Sequence, residues 1–293
     1  MSPLEDLPAE LRSLLLWNIP DLSSLRSLVH ASPVFHAQYR ADRDGILRAC
    51  MGRDMDGFFI DAWATTRTRV SVMGSPRTFQ QVTQFFSSYY SAAPINVDSM
   101  SSGCLCWLSA FHINVARPFA KLYTNWALAN LKIAALSSPK KQQDAGTAAA
   151  EIDNGKTSSL SRSEEVRVLK AIYQYQTHHN LFGRNEARYD QTYVKHDLAV
   201  RFYNKFEPWE VEAIGCINVF LQDAYEVVFD EVKGELITLR QHFAIMAPTS
   251  FGPCDPDGPS PFAFMSTSSP FFIMTLLLRQ RACMAFQIKE KRY

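Results

Sequence analysis

The sequence predicts a mostly α-helical fold: an N-terminal three-helix unit, followed by an all-α helical body that a disordered central linker interrupts. Three observations carry this. Leucines recur at helical spacing from residue 7 onward, later aromatic-rich stretches read as helices too, and strand-like alternation is scarce. No internal repeat with a period of roughly 20 to 50 residues occurs, which argues against a leucine-rich or propeller array.

The opening stretch LPAELRSLLLWNIPDLSSLRSLVHASPVF spans residues 7–35. Its Leu7, Leu11, Leu14 and Leu15 fall at i, i+4, i+7 and i+8, on one face of a short helix whose first turn can hold Pro8. Asn18 and Pro20 end that helix. Asp21 is placed to cap a second helix with Leu22, Leu25, Leu28 and Val29 on one stripe, and Ser32 with Pro33 forms the cap and first position of a third. Residues 1–50 thus form the N-terminal unit.

The body opens with 51–136, where TFQQVTQFFSSYYSAA (78–93) and the stretch 104–136 are expected helices, the second broken or kinked near Pro118. Residues 137–162 contain SSPKKQQDAGTAAAEIDNGKTSSLS, which is nearly free of large apolar side chains and cannot offset the entropy of its own ordering. A flexible linker is expected there. The body resumes over 163–293, with Ser163 as a candidate cap, Glu164 and Glu165 favourable at a helix start, and Gly183 as a stop. A further helix starts at Pro208 and is expected to end near Gly234, whereas 248–270, rich in Pro, Ser and Gly, reads as irregular.

Composition limits the function classes. The chain has 293 residues, 47% of them hydrophobic, enough for a sizeable core. Thirty basic against 29 acidic side chains leave a formal charge of +1, so no overall field draws the chain to nucleic acid or to an anionic membrane. The longest apolar run, eight residues after Pro270, is far short of the ~20 needed to span a bilayer. Six scattered cysteines (Cys50, Cys104, Cys106, Cys216, Cys254, Cys283) make neither a dense disulfide framework nor a zinc ribbon. Glu10, Arg12 and Pro20 break the leucine run that a signal peptide would need, and no Asn-x-Ser/Thr acceptor occurs. The expected location is intracellular and reducing, either cytoplasmic or nuclear.

Several stretches imitate chemical sites. Gly155, Lys156 and Thr157 resemble the tail of a phosphate-binding loop, but Ala150 stands where that loop needs glycine. His178 and His179 are adjacent on a helix and point about 100° apart, which does not suit a shared metal. Cys104, Cys106 and His112 lack the second ligand pair of a zinc site, so the cysteines are read as small hydrophobes. Asp223, Glu226, Asp230 and Glu231 read as a solvated carboxylate face, and Trp209 reads as core packing. No G-x-S-x-G, H-E-x-x-H or G-x-G-x-x-G motif occurs. No cofactor, metal or catalytic residue is expected.

The stretch LEDLPAELRSLLLWNIPDLSSLRSLVHASPVFHAQY resembles an F-box. Leu7, Pro8, Glu10, Leu11, Leu15, Leu22, Leu25, Leu28, Ser32 and Phe35 occupy the family's positions: Leu-Pro with an acidic residue two places on, an aliphatic helix, a second helix with Leu-x-x-Leu, and a third containing an aromatic residue. The form is similar to that of filamentous-fungal F-box-like proteins. The 104–131 helix and segments from 160 to 184 and 206 to 236 resemble their bodies, covering about half of the chain together with the box. Trp17 departs from the family's usual aliphatic or Phe, and the Cys-Lys/Arg-x-Trp ending of animal members is missing.

The resemblance implies a substrate receptor that docks on a Skp-type adaptor, joins a cullin-RING (SCF) ubiquitin ligase and recruits an unknown protein. It implies adaptor contacts at Leu7, Pro8, Leu11, Leu15, Leu22 and Leu25, and no covalent chemistry by this chain.

Overall fold

The computed structural model describes residues 4–74, 77–89, 91, 100–137, 160–182 and 200–246. Among them the regular structure is helical and no strand forms, so the all-α expectation holds. The elements are α1 (Ala9–Asn18), α2 (Leu22–Ala31), α3 (Pro33–Ala41), α4 (Arg43–Asp54), α5 (Phe59–Arg67), α6 (Val70–Met73), α7 (Phe79–Tyr89), α8 (Ser102–Phe111), α9 (Arg117–Ser137), α10 (Arg162–Phe182) and α11 (Pro208–Met246). The expected stop at Gly183, most of the expected linker and the irregular 248–270 stretch lie outside the described residues.

Local chemistry sets most boundaries. Asp21 accepts from the Ser24 N–H at 2.8 Å and starts α2, while Ser32 accepts from the Phe35 N–H at 3.3 Å with Pro33 in the first position of α3. The expected break near Pro118 is a π-helical turn over His112–Ala116, which joins α8 to α9. Proline has no N–H to continue the ladder, and a π turn just before it absorbs the mismatch.

Two boundaries differ from expectation. The cap of α10 is Ser161 rather than Ser163: its backbone N–H donates to Glu164 Oε2 at 2.8 Å, and its hydroxyl faces the Glu164 N–H at 3.4 Å. The last helix also runs through Gly234 to Met246, because an interior glycine costs a helix only about 1 kcal/mol and does not by itself end it.

Helix α4 crosses the expected boundary at residue 50, and the core does not divide there either. One cluster runs from Leu16, Leu22, Leu25 and Phe35 through Met51 and Leu108 to Phe119, Tyr173 and Ile217. Each such side chain contributes roughly 1.5–3 kcal/mol on burial. A smaller cluster unites Val82, Phe85, Phe86 and Tyr89 of α7 with Ala64, Leu181 and Phe202.

The most extensive helix pair is α5 with α10. Alanines and threonines on α5 let the backbones approach, and Gly57 at φ 89° turns the chain from α4 into α5 where a Cβ would stand 3.0 Å from Val166. Buried Thr65 joins the pair: its hydroxyl lies 2.9 Å from both the Tyr173 carbonyl and Thr177 Oγ1. Because a carbonyl only accepts, Thr65 donates to Tyr173 or to its own helix, and the Thr177 hydroxyl donates to Thr65.

Candidate interaction surface

Helix α1 divides its side chains unequally. Leu16 is fully buried, whereas Leu11 is 46% exposed, Leu14 59%, Leu15 40% and Trp17 41%. With exposed Pro8 and half-buried Leu7, these side chains form an apolar face at the outer edge of the N-terminal unit.

Polar ties hold that face in place. Arg12 donates to the carbonyls of Glu5 at 2.9 Å and Leu7 at 2.8 Å, which fixes the turn leading into Pro8. Gln38 of α3 donates to Ser13 Oγ at 2.6 Å. Arg53 of α4 donates to the carbonyls of Trp17 at 2.6 Å and Ile19 at 2.7 Å, closing the C-terminal end of α1, where orphan carbonyls need donors. The Trp17 indole N–H donates to Asp42 at 3.2 Å, and its ring lies where a Cβ on Gly45 would meet it at 2.8 Å. The Trp17 ring is thus accommodated by a glycine on the neighbouring helix.

The structure does not bring the six candidate contacts to one surface. Pro8, Leu11 and Leu15 are exposed and Leu7 is half-buried, but Leu22 and Leu25 lie in the core at 1% and 3% exposure. The helix that carries these two is anchored from below. Asp54 Oδ2 accepts from the Leu22 N–H at 3.0 Å, and Oδ1 accepts from Arg117 Nη2 at 2.5 Å. The Asp54 carbonyl accepts from Arg162 at 2.7 Å. Arg117 Nε in turn lies 3.1 Å from His112 Nε2, which also faces Asp54 Oδ2 at 3.5 Å, and His112 Nδ1 lies 2.9 Å from Tyr173 Oη.

The network thus ties α2 to the π turn, α9 and α10. Burial opposes the Asp54 charge, but His112, the Leu22 N–H and Arg117 outweigh it and hold the carboxyl down at about 2. Sequence reading missed this network. Its links to Asp54 span 32 to 108 positions and carry no local spacing signal.

The remaining candidates behave variously. His112 spends its ring nitrogens on Arg117 and Tyr173, Cys104 and Cys106 are half-buried, and no group of three His, Cys, Asp or Glu that could hold a metal occurs among the described residues. His178 and His179 lie with their rings nearly perpendicular at 86°, and burial among Phe182, Phe202 and Tyr203 pushes His178 down to about 4. Asp223, Glu226 and Asp230 are solvated as expected.

Trp209 is not core: it is 64% exposed at the start of α11, where the first helical turn projects past the cluster. Gly155, Lys156 and Thr157 lie outside the described residues. A cleft of about 230 Å³ between α2 and α8 has Leu22, Leu25, Val29 and Ile113 among its lining residues, with Arg26 and His30 as its charged or basic groups. No helix among the described residues is long and apolar enough to cross a membrane.

Comparison with known proteins finds no matching family model, no matching curated protein and no matching solved structure.

Proposed function

We propose that the chain is a non-catalytic F-box-type substrate receptor that docks on a Skp-type adaptor and recruits an unknown protein to a cullin-RING ubiquitin ligase. The observation that supports this best is the face of α1: Leu11, Leu14, Leu15 and Trp17 stay outside the core at the place where the Leu7-Pro8-x-Glu10 order occurs. An amphipathic helix ordinarily turns its apolar stripe inward, and a contiguous apolar face left outside marks a contact for another molecule.

The docking set is then Leu7, Pro8, Leu11 and Leu15, joined by Leu14 and Trp17. Leu22 and Leu25 act indirectly, by seating α2 beneath that face. The chain's contribution to ubiquitin transfer is proximity: it holds a protein near a ligase that carries the chemistry.

The test is affinity purification of the full-length protein from its native host, in parallel with the double variant Leu7→Ala/Pro8→Ala. Adaptor and cullin are expected with the wild type and absent with the variant, whose circular dichroism stays helical. Recovery of the adaptor without cullin would favour a scaffold working outside a ligase. No adaptor at all overturns the reading.

A further inference from the structure

The cleft between α2 and α8 lies apart from the exposed leucines of α1: of the six candidate contacts only Leu22 and Leu25 line it. Its floor is apolar, with Leu25, Val29 and Leu47 buried there. Its rim is exposed and carries Arg26 and His30 from α2 and Asn114 from the π turn.

The charge around the rim is one-sided. The segments α2, α3, α8 and the π turn, which frame the cleft, contain no Asp or Glu. Arg26 reaches across to Asn114 and donates to its Oδ1 at 3.0 Å, and it has no carboxylate partner among the described residues. Carboxylates on adjoining parts of the chain are engaged elsewhere: Asp21 accepts from Ser24, Asp44 from Arg43 and Ser102, and Asp54 from Leu22 and Arg117. A guanidinium with one bond to a neutral amide keeps most of its five donors for an anion.

Volume decides what kind of occupant fits. At about 230 Å³ the cleft falls below the roughly 300–1,000 Å³ of pockets that enclose a small molecule. It suits one large apolar side chain whose own backbone continues over the rim, as an anchor residue does at a protein interface.

We propose that the cleft seats an acidic segment of the recruited protein: one apolar side chain of that segment enters between α2 and α8, and the carboxylates beside it accept from Arg26 and His30. This gives the receptor reading a substrate surface and rests on that reading.

The experiment selects random dodecapeptides displayed on phage against the purified full-length chain, and measures the enriched peptides as synthetic copies by fluorescence anisotropy. They should carry Leu, Ile or Phe next to Asp or Glu. Two variants at exposed rim positions, Arg26→Glu and Ala110→Trp, should each weaken binding on the order of tenfold or more, the first by charge reversal and the second by filling the cleft. Circular dichroism checks that both stay folded, and Ala110→Leu replaces the tryptophan variant if that one does not.

No enriched peptide, peptides without acidic residues, or equal binding to wild type and variants overturns the proposal. Adaptor recovery should be the same for both variants as for wild type. Loss of the adaptor from them would assign the cleft to the adaptor and overturn the proposal while leaving the receptor reading intact. Selective peptide binding by a chain that recovers no adaptor would instead retain the acidic-segment site and remove the receptor reading.

Discussion

Helices α1 and α2 are each ten residues long, follow one another within the first 31 residues, and carry leucines at helical spacing, yet their leucines have opposite fates. Leu22, Leu25 and Val29 of α2 enter the core, while Leu11, Leu14 and Leu15 of α1 stay outside and only Leu16 turns in. Spacing explains why each helix has an apolar face but not what covers it. The cover depends on what anchors the helix: α2 is seated by a buried carboxylate at its N-terminus, whereas α1 is held at its turn, at Ser13 and at its C-terminal end, leaving Leu11, Leu14 and Leu15 exposed.

The largest expected effect tests that anchor. Asp54→Ala removes the acceptor from the Leu22 N–H and the nearer of Arg117's two carboxylate partners, so it should destabilise by about 3–5 kcal/mol in urea unfolding. A loss under about 1 kcal/mol would mean that α2 is buried for other reasons.

Next comes a matched pair on the two helices. Leu25→Ala should cost about 2–5 kcal/mol, because it empties a packed site. Leu11→Ala should stay within about 0.5 kcal/mol and instead weaken adaptor recovery. Equal costs at the two sites would erase the contrast between the helices.

The smallest effect is the acid dependence. Asp54 is held below its ordinary value, so its contribution is present above 3.8 and disappears as pH falls through about 2. Acid unfolding of the wild type should show roughly 2 kcal/mol of this loss, and Asp54→Asn should lack it. The same slope in both proteins would remove Asp54 as its source.

The legible part of the fold was the part written in local chemistry. Asp21, Ser32, Pro33 and the break near Pro118 could each be read from neighbours in the chain, since caps and proline act within one turn. The same reasoning misplaced the cap of α10 by two residues, because Ser161 and Ser163 are chemically alike and only the reciprocal bond with Glu164 selects one. It also put Trp209 in the core, since aromatic character says nothing about which side of a helix faces solvent.

The candidate surface was legible by half. Leu7, Pro8, Leu11 and Leu15 were named from their order in the chain and remain accessible at least in part, but Leu22 and Leu25 were assigned to the same surface because they continue the same pattern.

By itself, the sequence determined the helical class of this protein, most of its helix starts and the apolar stripes of its first two helices, because propensity, capping and periodicity act over three or four residues. Only the tertiary structure decided which stripe is covered, that Asp54 joins the N-terminal unit to the body, and that the Asp61 carboxyl on α5 is buried. Those outcomes depend on groups from distant parts of the chain meeting in one place, and the free energy of a buried charge is set by what surrounds it rather than by its neighbours in sequence.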